Sequence, residues 1–151
     1  MEGAESELSG LREFIDRVRL ESVQFHEVSA RRFESGPDEA DSDITIEVQI
    51  KEDSDRFGVR LRGATQVPAG EAVVSVAGQY VIENGNAPSS RIIKEFVNEV
   101  AVMTVLPYLR EGITTITAKV FGAPLNIPII AQGDIAVEPD DQDAVKGVAQ
   151  V

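Results

Sequence analysis

Between Ile44 and Ile82 the chain passes through three successive strand-like runs, two of them alternating apolar and polar residues, and this pattern restricts the fold more than any other feature of the sequence. Ile44, Ile46, Val48 and Ile50 alternate with Thr45, Glu47 and Gln49, the period of two expected of a strand with one buried face and one wet face. After a polar turn over 51–55, Phe57, Val59 and Leu61 resume the alternation against Arg56, Arg60 and Arg62, and the run continues to Thr65 and Val67. Pro68 then fixes φ and Gly70 offers a positive φ, so the chain turns straight back into 72–82. Connections this short join neighbouring strands in antiparallel order. The third run differs in kind. Val73, Val74, Val76, Tyr80, Val81 and Ile82 leave only Ser75 and Gln79 polar, which requires cover on both faces or a place at a subunit interface.

Ahead of these runs, Val18, Leu20, Val23 and Phe25 alternate with one extra residue between the pairs, which predicts a first strand carrying a bulge. Residues 31–42, RRFESGPDEADS, are charged and aperiodic, and read as a crossover loop rather than a tight hairpin. Leu11, Phe14, Ile15 and Val18 recur at helical spacing, with Ser6 or Ser9 as a cap. They predict a short amphipathic helix over 6–17 whose apolar face needs a partner.

Downstream, Pro88-Ser89-Ser90 suits a helix start, and Ile92, Ile93, Phe96, Val97, Val100 and Ala101 form one buried stripe. Residues 101–106 carry no charge on any face, so this part of the helix needs cover all round, most economically from a second subunit. Pro107 predicts a break near Leu106, because proline inside a helix removes a hydrogen bond but is well suited to the first turn of a new one. Residues 112–121, GITTITAKVF, stay open between strand and helix, since β-branched residues favour strand locally. Gly122-Ala123-Pro124 ends that element. Residues 125–130, LNIPII, then form an extended apolar segment that prolines keep out of helix, and which is either an adhesive surface or ordinary core cover. From Glu138 onward the chain is acidic and lacks aromatics, which predicts disorder, with Val145, Val148 and Val151 spaced as a short docking motif.

Composition narrows the chemistry. A chain of 151 residues suffices for one domain that buries roughly 68–70% of its unfolded surface. Without cysteine there is no disulfide framework, thiolate metal site or thiol nucleophile, and His26 alone cannot build a multi-histidine centre. A net charge of −12 repels phosphate backbones and anionic bilayers, and the basic residues near the start are interleaved with Glu13, Asp16, Glu21 and Glu27. The acidic start MEGAESE is the reverse of a secretory signal, and the apolar run 100–109 is about half of the roughly 20 residues a membrane helix needs. A cytoplasmic location is expected. Asp53-Ser54-Asp55 begins like a calcium loop, but Phe57 stands where an oxygen ligand is needed and Ala64 where the bidentate Glu should be. No catalytic residue, metal ligand or cofactor is assigned, and no enzyme is expected. An acidic chain with a two-faced apolar strand, an uncharged helix segment and a proline-spaced apolar loop reads instead as a protein that binds other proteins.

The stretch LPYLREGITTITAKVFGAPLNIP, residues 106–128, resembles the SecB export-chaperone family. Pro107, Tyr108, Arg110 and Glu111 match the family's Phe-Pro-Tyr-x-Arg-Glu helix start, and Gly122, Pro124, Leu125, Ile127 and Pro128 match its Gly-x-x-Pro-x-Leu-x-Leu-x-Pro loop. The likeness covers roughly residues 19–131. It implies an α+β fold, a four-stranded antiparallel sheet with C-terminal helices packed on one face, in which residues 107–120 form the long helix. It divides the chain into an N-terminal extension (1–18), a SecB-like domain (19–131) and an acidic tail (132–151).

The resemblance further implies a homotetramer, a dimer of dimers, with Val74, Val76, Met103, Leu106, Tyr108, Ile113 and Ile116 at subunit interfaces. Client-binding positions would be Phe33 in the crossover loop and Phe121, Leu125, Ile127, Ile129 and Ile130 at and after the end of the long helix. The expected function is an ATP-independent holdase for unfolded polypeptides, preproteins for export among them. The alternative is a dedicated chaperone or adaptor for one partner such as an antitoxin, since the N-terminal addition also resembles the divergent antitoxin-protecting members. Expected partners are unfolded clients, the SecA motor or an antitoxin, with no nucleic acid and no membrane insertion. The sequence departs from the family in showing no second helix over 131–137. The family acids that dock SecA fall on Ser22 and His26 and near Val73.

Overall fold

A computed structural model describes residues 2–34, 44–83, 88–135 and 145–149, with only the backbone course described at 2–9 and 145–149. Helix α1 (Glu2–Arg17) leads directly into the 15-residue strand β1 (Val18–Arg32), followed by β2 (Ile44–Glu52), β3 (Arg56–Val67) and β4 (Gly70–Ile82). Helix α2 (Ser90–Phe96) continues through a π-helical turn (Val97–Ala101) into α3 (Val102–Phe121), and Val145–Ala149 forms β5. The strand order is β1-β4-β3-β2-β5 with every pairing antiparallel.

The expected four-strand arrangement is present, and its order requires the β1-to-β2 connection to cross over, as the charged stretch predicts; residues 35–43 of that connection lie outside the described residues. Strand β1 is bulged twice, between Leu20 and Ser22 and between Phe25 and Glu27, the first at the extra residue seen in the alternation. His26 sits at the second bulge and is exposed.

The buried face of the sheet carries Ile44, Ile46, Val48, Phe57, Val59, Leu61, Val74 and Val76, and α3 lies across it with Val105, Leu106, Leu109 and Ile113 wholly enclosed. Most of the two-faced strand and of the uncharged helix segment is therefore covered within the chain, with Met103 left exposed. Val74, Val76, Leu106 and Ile113, assigned above to subunit interfaces, are 0–2% exposed in a single protomer. The apolar face of α1 also finds its partner inside the chain. The Phe14 ring stacks on Phe57 at 5.9 Å between centroids and meets Phe96 edge-on at 5.4 Å, and Tyr80 completes the cluster against Phe57 and Phe96. Burial raises the Tyr80 hydroxyl above the ordinary phenol value, an effect the Thr104 hydroxyl opposes.

Four expectations are corrected. Helix α1 begins at Glu2, upstream of both candidate caps. The long helix does not break at Leu106: Pro107 lies inside α3, and both it and Met103, whose carbonyl the missing N–H leaves unpaired, are on the exposed side where water can serve that carbonyl. Gly70 is not among the positive-φ glycines, Gly122 and Gly133; it is required because a Cβ there would collide with the Arg31 carbonyl and the Phe121 ring. In the tail expected to be disordered, Val145–Ala149 pairs with β2 from Ile44 to Val48, an arrangement held by backbone bonds that need little apolar content.

If the aromatic cluster makes α1 integral to the domain, Phe14→Ala is expected to cost about 3–5 kcal/mol. Ile15→Ala, at a side chain 41% exposed, is expected to cost within about 0.5 kcal/mol. Urea denaturation of the two variants measures the contrast.

Candidate functional site

Helix α3 organises the surface around it. Ser89 caps the helical segment by accepting from the Ile92 N–H at 3.5 Å, and Gly122, at φ 82°, ends it in the left-handed conformation. Between these ends the 3.6-residue repeat gives α3 two distinct flanks above the sheet.

One flank carries Arg110, Thr114 and Thr117, and it ties down the proline-spaced segment. Thr117, fully buried, donates from its hydroxyl to the Ile113 carbonyl and accepts from the Leu125 N–H at 2.8 Å. Thr114 donates to the Leu125 carbonyl at 3.4 Å, and Arg110 Nη2 donates to the Pro128 carbonyl at 3.2 Å while its buried Nε has no partner. Held in this way, residues 124–131 run along the helix with no helix or strand of their own. Ile127 and Ile130 point inward and are 5% and 7% exposed, Leu125 is half-buried, and Ile129 is 97% exposed. The segment is therefore both core cover and adhesive surface, divided residue by residue.

The opposite flank carries Gly112, Thr115 and Lys119, and faces the free edge of β1. Between them lies an apolar groove lined by Phe25, Val28, Gly112 and Ile116, with Glu111, Thr115 and Lys119 at its rim. Phe25 and Val28 remain 43% and 47% exposed. The groove exists because Gly112 has no side chain: a Cβ there would stand 2.9 Å from Val74 and 3.1 Å from Phe25. Among the described residues β1 pairs only with β4, so the backbone groups of its outer edge are open to an added strand.

Of the expected client-binding residues, Phe33 and Phe121 come to one end of the molecule. The Phe33 N–H donates to the Ala69 carbonyl in the β3–β4 connection and the Phe121 ring lies against Gly70, the first residue of β4. Leu125, Ile127, Ile129 and Ile130 lie on the far flank of α3, so the helix stands between them and the groove. Of the expected interface residues, Met103 and Tyr108 are exposed on α3 at 37% and 42%, and Ile116 is half-buried in the groove. Phe25 and Val28 were not singled out from the sequence. Their signal was the alternation of the first strand combined with its crossover, which places that strand at an edge.

No protein-family model matches the chain. It is 21% identical over 126 residues to the SecB-like chaperone SmegB of Mycolicibacterium smegmatis, an alignment that covers 83% of this chain and 84% of that protein. Among solved structures, it matches the Mycobacterium tuberculosis SecB-like chaperone Rv1957 in complex with a ChAD peptide from the HigA1 antitoxin, with a TM-score of 0.67 and 16% identity over 83% of this chain and 99% of that one. This chain has the fold of that SecB-like chaperone. The long helix laid across the antiparallel sheet is thus the shared architecture, and the resemblance first carried by residues 106–128 extends over most of the SecB-like chain.

The loop pinned by Thr117 is expected to loosen in Thr117→Val, which keeps the shape but leaves the Leu125 N–H unpaired at a cost of roughly 1–3 kcal/mol. Amide hydrogen exchange at Leu125 is expected to quicken by tenfold or more, with the amides of β3 and β4 unchanged.

Proposed function

We propose that the protein is an ATP-independent holdase chaperone, which binds non-native polypeptides and keeps them soluble without any covalent step. The observation that carries this reading is the unsatisfied apolar surface beside α3: Phe25, Val28 and Ile116 line a groove at an open strand edge, and Ile129 projects from a segment otherwise pinned to the core. An extended client can add backbone hydrogen bonds along β1 while its apolar side chains enter the groove. Affinity arises from burial at roughly 25 cal/mol per Å² of apolar area and is opposed by the entropy of ordering the client, so capture is broad and grows with client length. The net charge of −12 keeps such a complex in solution.

In this reading the protein acts in the cytoplasm on preproteins awaiting export. No helix among the described residues is long and apolar enough to cross a membrane. Assembly into a dimer of dimers would draw on the exposed ridge of α3 at Met103, Pro107 and Tyr108, because the other apolar residues of the helix are used inside the protomer and the β1 edge is left to the client. A second reading, a chaperone dedicated to one partner, is favoured by the antitoxin peptide bound to the Mycobacterium tuberculosis protein of the same fold. The SecA motor has less support, since Ser22, His26 and Val73 stand where the family's docking acids would be.

Aggregation of two unrelated, chemically denatured enzymes, followed by light scattering, tests the proposal. The wild-type chain is expected to suppress both; rescue of neither would contradict the holdase reading, and rescue of one would favour the dedicated partner. Ile129→Asp is expected to weaken suppression severalfold at unchanged thermal stability. Ile127→Asp, at a buried position, is expected to lower stability by about 3 kcal/mol or more through an unpaired buried charge.

A further inference from the structure

The face of the sheet turned away from α3 has a charge distribution unlike the rest of the chain. Its rim arginines are neutralised: Arg19 pairs with Glu83 at 2.8 Å, Arg31 with Glu71 at 2.9 Å, and Arg56 with Asp55 and Glu21 at 3.4 and 3.6 Å. The two central arginines, Arg60 and Arg62 on β3, have no ion pair among the described residues. Arg60 donates from Nε to the hydroxyl of Ser75, which is fully buried, and Arg60 and Arg62 are both half-buried.

Strand register shows where acids stand around them and where they do not. The row through Arg62 runs from Glu47 on β2 to Ser75 and then Glu27 on β4 and β1, with Lys146 of β5 standing on the other side of Glu47. The row through Arg60 holds Gln49, Ala77 and Gln24, and has no acid. Neither has the next, where Lys51 stands across from Gly58 and the Gln79 side chain lies over that glycine. A chain of net charge −12 thus keeps Lys51, Arg60 and Arg62 together on a surface edged by Gln24, Gln49 and Gln79.

We propose that this face docks a short, extended, acidic segment of a partner protein. Arginine forks match carboxylates in geometry, and the glutamine amides can serve a peptide backbone. The negative charge of the rest of the chain repels long polyanions such as RNA, so a peptide a few acids long fits the local field better than a nucleic acid. The surface is separated by the thickness of the sheet from the groove beside α3, so it can hold its partner while a client occupies the groove.

Fluorescence anisotropy of a labelled ten-residue peptide alternating Glu and Ser tests the proposal, at about 50 mM salt where such contacts are least screened. Saturable binding is expected, weakened at least tenfold in the double variant Arg60→Glu, Arg62→Glu and unchanged in Ile129→Asp. The Nε–Hε resonances of Arg60 and Arg62 in the wild-type chain are expected to shift on titration, which reads the site without any variant. Absent binding, binding indifferent to the double variant, an RNA ten-mer bound more tightly than the peptide, or a change of oligomeric state in the double variant would each overturn it. Loss of aggregation suppression in Ile129→Asp leaves this assignment untouched, so the two readings fail separately.

Discussion

The structure depends on how closely α3 can sit on the sheet. Two glycines set that distance from opposite sides: a Cβ on Gly63 of β3 would stand 2.9 Å from Ile113, and one on Gly112 of the helix would stand 2.9 Å from Val74. With no side chain at these positions, Leu109 and Ile113 reach full burial. The same approach leaves Phe25 and Val28 flanking the bared helix surface at Gly112, so the seating that completes the core also opens the groove. Fold and candidate site therefore share one steric condition.

A second consequence is the division of labour between the two faces of the sheet. The helix side presents apolar side chains that have no partner in the protomer, next to an unpaired strand edge, while the open side presents cations in a polar setting. Surfaces of the first kind bind by area and tolerate many sequences, and those of the second discriminate by charge and respond to salt. On the helix side, Thr117 holds Leu125 and so keeps the 124–131 segment folded against one flank of α3 and clear of the groove on the other.

The strands were legible because a period of two survives in any sheet with one wet face, and β2, β3 and β4 end within two residues of the expected positions. What covers an apolar face was not legible. The character of Val74, Val76 and Leu106 states that they must be buried but not by which chain, and the cover proved to be α3 and the sheet themselves. The helix over 112–121 ran against local propensity, since Thr114, Thr115, Ile116 and Thr117 favour strand; burial of Ile113 and the Thr117 hydrogen bonds prevail over that preference. Strand β5 left almost no trace because edge pairing is carried by the backbone. At the candidate site, Ile129 was legible as part of an apolar loop, whereas Phe25 read only as part of an alternating strand and Val28 was not read at all until the strand order placed β1 at the edge.

The central claim is that a non-native chain is held in the groove and strand edge beside α3. Hydrogen exchange of the protein, alone and with a chemically unfolded, slowly refolding client, tests it most directly. The account predicts protection of the β1 backbone around residues 23–30 and of α3 around 111–119, with the central strand β3 unchanged. Exchange identical with and without client, or protection confined to the opposite face of the sheet, would contradict it.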